Sequence, residues 1–214
     1  MYLPTHFAET RTDRLQEVMA NAGLVTLVTM TDDGMEASHI PMLYDPAPAA
    51  DGSAPHGTLY GHVARGNPQW RRFQANVDAL AIFQGPDVYV TPSWYETKQE
   101  SGKVVPTWNY VAIHAYGRLS TFDDREQLLR LVTRLTERQE QRRAQPWAVS
   151  DAPSDYIDAM LKAIVGIALP ISRLEGKWKM SQNRNAADQA GVIAGLRAEG
   201  QEPMAELIAE VTSP

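Results

Sequence analysis

Cysteine is absent from all 214 residues of the chain. That absence excludes disulfides, thiolate nucleophiles, iron–sulfur ligation and cysteine-bound zinc together. Long apolar runs are missing too, and nothing approaches the roughly 18 residues that would span a bilayer. The opening segment MYLPTHFAET has neither a basic n-region nor an apolar h-region, so a cytoplasmic location is expected. Positive charge is in deficit: 20 Lys and Arg stand against 26 Asp and Glu, a net charge of −6. This argues against a generic nucleic-acid binder, because phosphate neutralisation needs a basic patch. No G-x-S-x-G elbow, Walker A loop or Rossmann glycine fingerprint occurs, and no internal repeat or low-complexity tract interrupts the chain.

What remains is an ordinary globular composition, 43% hydrophobic and 21% charged, with the length of one large domain over residues 1–214. TDRLQEVMANAG predicts a first helix, with Thr12 at its start and Gly23 as the stop. LVTLVTM and MEASHIPMLY read as strands joined by the hairpin signal Asp32-Asp33-Gly34. A Pro/Ala/Gly-rich loop follows, and then TLYGHVARGNPQW. That segment alternates as a strand and breaks at Arg65-Gly66-Asn67-Pro68, where Asn67 suits a helix N-cap and Pro68 the first helical position. DALAIFQG and DVYVTPSWY predict a strand pair, and PTWNYVAIHAYGRLSTF one long strand. The C-terminal half is more helical. DDREQLLRLVTRLTERQEQ carries a stripe of Leu128, Val132 and Leu135, and a second helix is predicted over 155–165 with Met160, Leu161 and Ile164 as its apolar face. GIALPISRLEGKWKM predicts a last strand, with a helix after Asn185. The whole reads as an antiparallel barrel or sandwich, predominantly β with added helices at about 123–165 and 185–210.

Three polar-aromatic clusters stand out: SHIP with His39, the pair PSWY and PTWNY around Trp94 and Trp108, and EGKWKMSQNR around Lys177 and Arg184. Each places cations, hydroxyls or amides beside an aromatic ring at a strand end. A planar aromatic ligand carrying a phosphate needs that mixture, and either a phosphate-bearing flavin or a nucleotide fits. The same tryptophans serve equally as core or interface anchors, and Arg65 by itself would be a solvated charge. Its place after a buried strand, beside a helix start, favours an anion contact. His39, His62 and His114 all fall on strands, but their spacing matches no ligand motif and no metal is expected. Ser38 and His39 are neighbours on a strand and so face opposite ways, which excludes a nucleophile–base pair.

The segments MYLPTHFAET, GHVARGNPQW, AIFQGPDVYVTPSWY, VPTWNYVAIHAYGRL and LEGKWKMSQNR, in that order over residues 1 to about 196, resemble the PaiB family. That resemblance implies FMN as cofactor, the label of negative transcriptional regulator, and the split barrel of flavin reductases and pyridoxamine-phosphate oxidases. It also implies a homodimer with FMN at the subunit interface. By this analogy His62, Val63, Ala64, Arg65 and Asn67 meet the FMN phosphate. Ser38, His39, Thr107, Trp108, Asn109, Lys177, Ser181, Gln182 and Arg184 are candidates for the remaining contacts. Gly66 stands where the family pattern usually has alanine, a change that frees the backbone without removing a donor. The expected function is an indirectly acting regulator or flavin-dependent sensor, with a flavin-dependent oxidoreductase or oxygenase as the alternative. No residue is assigned as catalytic acid or base, although His39 and His114 are of the type that titrates near neutral pH. The best basic run, RLVTRLTERQEQRR, is diluted by glutamine and glutamate and reads as a solvated helix face, so direct DNA contact is not expected.

Overall fold

The computed structural model describes residues 1–212. In chain order the elements are β1 (Ala8–Glu9), α1 (Thr12–Asn21), β2 (Leu24–Thr31), β3 (Gly34–Asp45), β4 (Thr58–Ala64), α2 (Gln69–Arg72), β5 (Ala79–Val90), α3 (Thr97–Ser101) and β6 (Thr107–Gly117). There follow β7 (Ser120–Phe122), α4 (Arg125–Glu140), α5 (Ser154–Lys162), β8 (Ile164–Pro170), β9 (Arg173–Lys179), α6 (Ala186–Ala198) and α7 (Glu202–Thr212). This is the expected antiparallel β architecture with added helices. The described residues form two compact units, each discontinuous in sequence: residues 1–15, 84–113 and 175–212 in the first, and residues 16–83 and 114–174 in the second.

In the second unit the strand order is β5-β2-β3-β4-β8-β7, with β5 contributing its first half. The β2–β3 hairpin closes at Thr31↔Gly34 over Asp32-Asp33, and Gly34 has φ +118°, open to glycine and strained for other residues. β4 pairs with β8 along its whole length, from Thr58↔Pro170 to Ala64↔Ile164. Leu59 and Val63 are buried on one face of β4, while Tyr60 and His62 lie half-buried on the other. α4 is capped by Asp124, whose carboxylate accepts the Gln127 N–H at 2.9 Å. It buries Leu128, Leu131 and Leu135, so the apolar stripe passes through Leu131 and leaves the expected Val132 only half-buried. Leu131 and Leu135 pack on Leu43 of β3, with Tyr60 and Phe122 completing the cluster.

In the first unit the order is β1-β9-β6-β5. Asn185 caps α6 by accepting the Asp188 N–H at 2.8 Å. α6 packs on the 3-10 turn Pro92–Trp94 so closely that a Cβ on Gly195 would sit 2.4 Å from the Trp94 indole.

Four expected elements are redrawn. The predicted strand pair within 78–95 is one strand, β5, running through Gly85-Pro86. The glycine there answers a packing demand, since a Cβ would lie 2.8 Å from the Val111 side chain. The long strand of 106–122 is interrupted at Arg118-Leu119 to give β6 and β7. The helix over 155–165 stops at Lys162, because Ile164 and Val165 pair with Ala64 and Val63 of β4, and Met160 is exposed. The last strand divides into β8 and β9 at Ile171-Ser172, where the Ser172 N–H donates to the Tyr116 carbonyl.

Candidate functional site

The strand end that motivated the anion reading lies in the second unit. Ser38 on β3 and Asn67 after β4 meet there, the Asn67 amide donating to Ser38 Oγ at 2.9 Å. The Asn67 side-chain oxygen accepts the Gln69 N–H at 3.0 Å, and Pro68, in place of the expected Asn67, stands at the N-cap of the short α2 turn. The buried Gln69 amide then reaches the Leu27 and Glu36 carbonyls and Thr29 Oγ1, pinning this turn to the β2–β3 hairpin.

Arg65 faces another way. Its Nε donates to the Lys162 carbonyl at 2.7 Å and its Nη2 to the Ile164 carbonyl at 3.0 Å, while Nη1 lies 3.9 Å from Asp123. These are the last carbonyls of α5 and the first of β8, groups that a helix end leaves without partners. Arg65, expected at the FMN phosphate, thus clamps a helix C-terminus. Val63 is buried, and the Ala64 side chain is exposed. His39 is exposed, its Nδ1 2.9 Å from Thr26 Oγ1 on the paired strand. His62 sits on the face of β4 opposite Val63; burial lowers its pKa, and Nδ1 has no hydrogen-bond partner among the described residues. His114 Nδ1 lies 3.2 Å from the Tyr116 hydroxyl.

The second cluster belongs to the first unit. Strand alternation puts Lys177 and Lys179 on one face of β9. Lys177 is buried. It donates to the Tyr2 carbonyl at 3.0 Å and lies 5.5 Å and 5.3 Å from the Tyr2 and Tyr110 ring centres. Lys179 donates to Thr107 Oγ1 and to the Trp108 carbonyl. Its pKa is lowered, first by burial and then by repulsion from Lys177 and Arg184. Arg184 lies 4.4 Å above the Tyr95 ring. Among the described residues none of these three cations has a carboxylate partner. Glu9, on the strand paired to β9, is taken by Arg11 and Arg14, and Glu175 by the N-terminal ammonium.

Around the cations stand an exposed aromatic pair, Trp108 and Tyr89, edge-on at 5.9 Å, and the buried pair Asn109 and Ser181, whose side chains bond at 2.9 Å. Ser181 has φ +64°, alone among the described non-glycine residues in lying at positive φ. Such strain persists where the surroundings over-determine it and gathers at functional sites. Gln182 closes the turn locally, donating to the Trp178 carbonyl and accepting the Met180 N–H, both at 2.6 Å.

The chemistry of this donor set is specific. Two ammonium groups and a guanidinium, partly buried and uncompensated, select an anion; the hydroxyls and exposed rings beside them suit an aromatic body attached to it. FMN fits that description. Thr107, Trp108, Asn109, Lys177, Ser181, Gln182 and Arg184 are thus gathered in one unit, whereas Ser38, His39, His62, Val63, Ala64, Arg65 and Asn67 belong to the other. Lys179 was not singled out from sequence, although its two-residue spacing from Lys177 on a strand was the available signal.

The model of the family described as "Putative FMN-binding domain" matches residues 1–173. The chain is 33% identical over 211 residues to the Protease synthase and sporulation protein PAI 2 of Bacillus subtilis (strain 168), an alignment covering 99% of this chain and 96% of the relative. It is 37% identical over 226 residues to an uncharacterized protein of Emericella nidulans, covering 92% and 90% respectively. Two solved structures share the fold. The flavocytochrome Anf3 from Azotobacter vinelandii has a TM-score of 0.56 at 11% identity, covering 86% of this chain and 75% of that chain. The FAD and heme binding protein from Mycobacterium smegmatis has a TM-score of 0.55 at 18% identity, covering 86% and 78%.

Proposed function

The chain belongs to the PaiB family of FMN-binding domains, and we propose that its FMN presents an anionic group to Lys177, Lys179 and Arg184. The observation that carries this reading is that, among the described residues, no carboxylate pairs with these three clustered, partly buried cations, one of them with its pKa pushed down by burial and then by the other two. Bound FMN supplies electron and hydride transfer. This chain's residues supply the rest: the cations hold negative charge, Thr107 fixes the Lys179 ammonium, and the strained Ser181 turn brings Arg184 to β9.

In this reading the protein is a flavin-dependent sensor whose regulatory effect does not pass through DNA. The arginines of α4 support that. Arg125 pairs with Asp158, Arg130 with Glu126, and Arg138 donates to the Met42 and Ala22 carbonyls. With three of its four arginines engaged, α4 offers only Arg134 to a phosphate, well short of the row that DNA affinity requires. The outer face of β2 and β3 leaves Leu24, Met30 and Met35 exposed, apolar side chains on either side of the Thr26–His39 pair that suit pairing with a second copy as a homodimer.

Titration of purified protein with FMN, followed by quenching of flavin fluorescence, tests the assignment. Wild-type protein binds, and Lys179→Met weakens FMN about tenfold or more, as expected for loss of a charge-assisted contact. Riboflavin locates the contact: retention of riboflavin affinity assigns the cations to the phosphate, and parallel loss assigns them to the ring. FMN affinity unchanged in Lys179→Met would remove the cluster from the flavin site. Light scattering at twice the 23.8 kDa chain mass checks the dimer.

A further inference from the structure

Between α4, α5, the segment joining them and the outer faces of β4 and β8, the second unit contains a cavity of about 400 Å³. Its wall is apolar: Val132, Ile157, Met160 and Ile164 with Trp147 and Tyr156. Among the described residues no Asp, Glu, Lys or Arg lines it. Trp147, Tyr156 and Met160 remain 49%, 56% and 46% exposed, although each belongs to a residue type that folding normally hides. Apolar surface concentrated at one concave place marks a binding site more than scattered exposure does, and the volume falls within the range of small-molecule pockets, about 300–1,000 Å³.

One side chain gives the cavity a polar handle. His62 lines it from β4 and makes no side-chain hydrogen bond among the described residues. Burial lowers its pKa, so the imidazole enters the cavity as a neutral group. An ion placed here would exchange water for apolar walls with no counter-charge. A neutral ligand loses nothing of that kind, and a hydroxyl or ring N–H on it would find the unused imidazole.

We propose that this cavity is a second ligand site, taking a neutral, planar molecule of one or two fused rings with a single hydroxyl or N–H directed at His62. It draws on none of the residues Lys177, Lys179 and Arg184 assigned to FMN, and because its His62 and Ala64 are positions that the family resemblance places at the FMN phosphate, binding in the presence of FMN is what separates the two readings.

The probe is 2-naphthol, titrated calorimetrically into the full-length protein with and without saturating FMN. One molecule binds per chain, with the same affinity in both conditions. Naphthalene-2-sulfonate, of the same shape but charged, binds at least tenfold more weakly. Ala152→Trp fills the cavity from its wall and lowers 2-naphthol affinity at least tenfold while FMN titrates as in wild type. Where Ala152→Trp does not fold, Thr136→Trp fills the same cavity from α4. The proposal is overturned by any of four results: no saturable binding, loss of binding when FMN is present, equal affinity for the sulfonate, or undiminished binding to the filled variant. A change in oligomeric mass on filling would also overturn it, because the cavity would then be covered by a second copy of the chain.

Discussion

Replacing Arg65 by alanine separates two jobs that one arginine at a strand end can do. If it held the FMN phosphate, its loss would remove a charge-assisted contact worth about 1.5–3 kcal/mol from the cofactor alone. FMN affinity would fall roughly 10- to 150-fold, and riboflavin would be untouched. The structure assigns the guanidinium elsewhere. Nε and Nη2 donate to the carbonyls of Lys162 and Ile164, and the backbone N–H of the same residue donates to the Ala163 carbonyl at 2.7 Å. Three consecutive carbonyls at the α5–β8 junction are therefore held by one residue. A cation at a helix C-terminus is also favoured by the helix dipole.

The magnitude follows from those two side-chain bonds. Each is charge-assisted, but the side chain is 34% exposed, which places them near the low end of about 1.5–3 kcal/mol and makes them partly replaceable by water. The expected loss of stability is about 2–3 kcal/mol, or roughly 4–12 °C in Tm for a chain of this length. Scanning calorimetry measures it. FMN and riboflavin titrations on the folded variant at 20 °C should then shift together and by less than about threefold. Arg65→Lys keeps the charge but reaches only one carbonyl at a time, so it recovers part of the Tm. An Arg65→Ala protein with unchanged Tm and a selective loss of FMN would refute the clamp and return Arg65 to the phosphate.

Four further outcomes are expected. Because burial and two neighbouring cations lower the Lys179 pKa, its charge is lost below the usual lysine range. FMN affinity should decline as pH rises into that window, with the slope flattened in Lys179→Met. Gly195→Ala drives a Cβ to 2.4 Å from the Trp94 indole and should cost about 1–3 kcal/mol by thermal denaturation, with no gain from the better helix former. His62 has a lowered pKa from burial, so as pH falls through about 6.5 the unfolded chain takes up the proton first and stability drops; His62→Gln should remove that part of the pH profile. Ser181→Gly should be about 1–2 kcal/mol more stable to thermal denaturation than Ser181→Ala, since both lose the Asn109 bond but only glycine relieves φ +64°.

How much of this was readable in advance depended on whether the deciding contact was local. The β2–β3 hairpin was readable because Asp32-Asp33-Gly34 supplies both the turn and the register, and a one-residue slip would reverse every side chain. The cap of α6 at Asn185 and that of α4 at Asp124 were equally local. β5 was misread because Gly-Pro is ordinarily a turn signal. At Gly85 the absence of a side chain serves Val111, 26 positions along the chain, and nothing nearby in sequence announces that. The α5–β8 boundary failed for a related reason. Ile164 and Val165 continue the apolar period of the helix, and only their pairing with β4 pulls them out of it.

The candidate site shows the same division. Its residue types were readable: cations and hydroxyls beside aromatic rings, in the segments around Thr107 and Lys177. Their assignments were not. Arg65 and Lys179 are each a cation at one end of a strand, and the sequence ground for Arg65, a helix start beside it, says nothing of which acceptors each cation meets. What separates them is the inventory of acceptors. Arg65 is met by two carbonyls and lies near Asp123, so an added anion would have to displace bonds already made. Lys179 is met by a hydroxyl and a carbonyl, and it is repelled by Lys177 and Arg184 with no carboxylate partner among the described residues to offset them. An added anion there relieves a repulsion without breaking an ion pair. The electrostatic free energy available to a ligand is therefore larger at the site whose cations are least satisfied by the protein itself, and that quantity exists only once residues 107, 177, 179 and 184 are brought together by the fold.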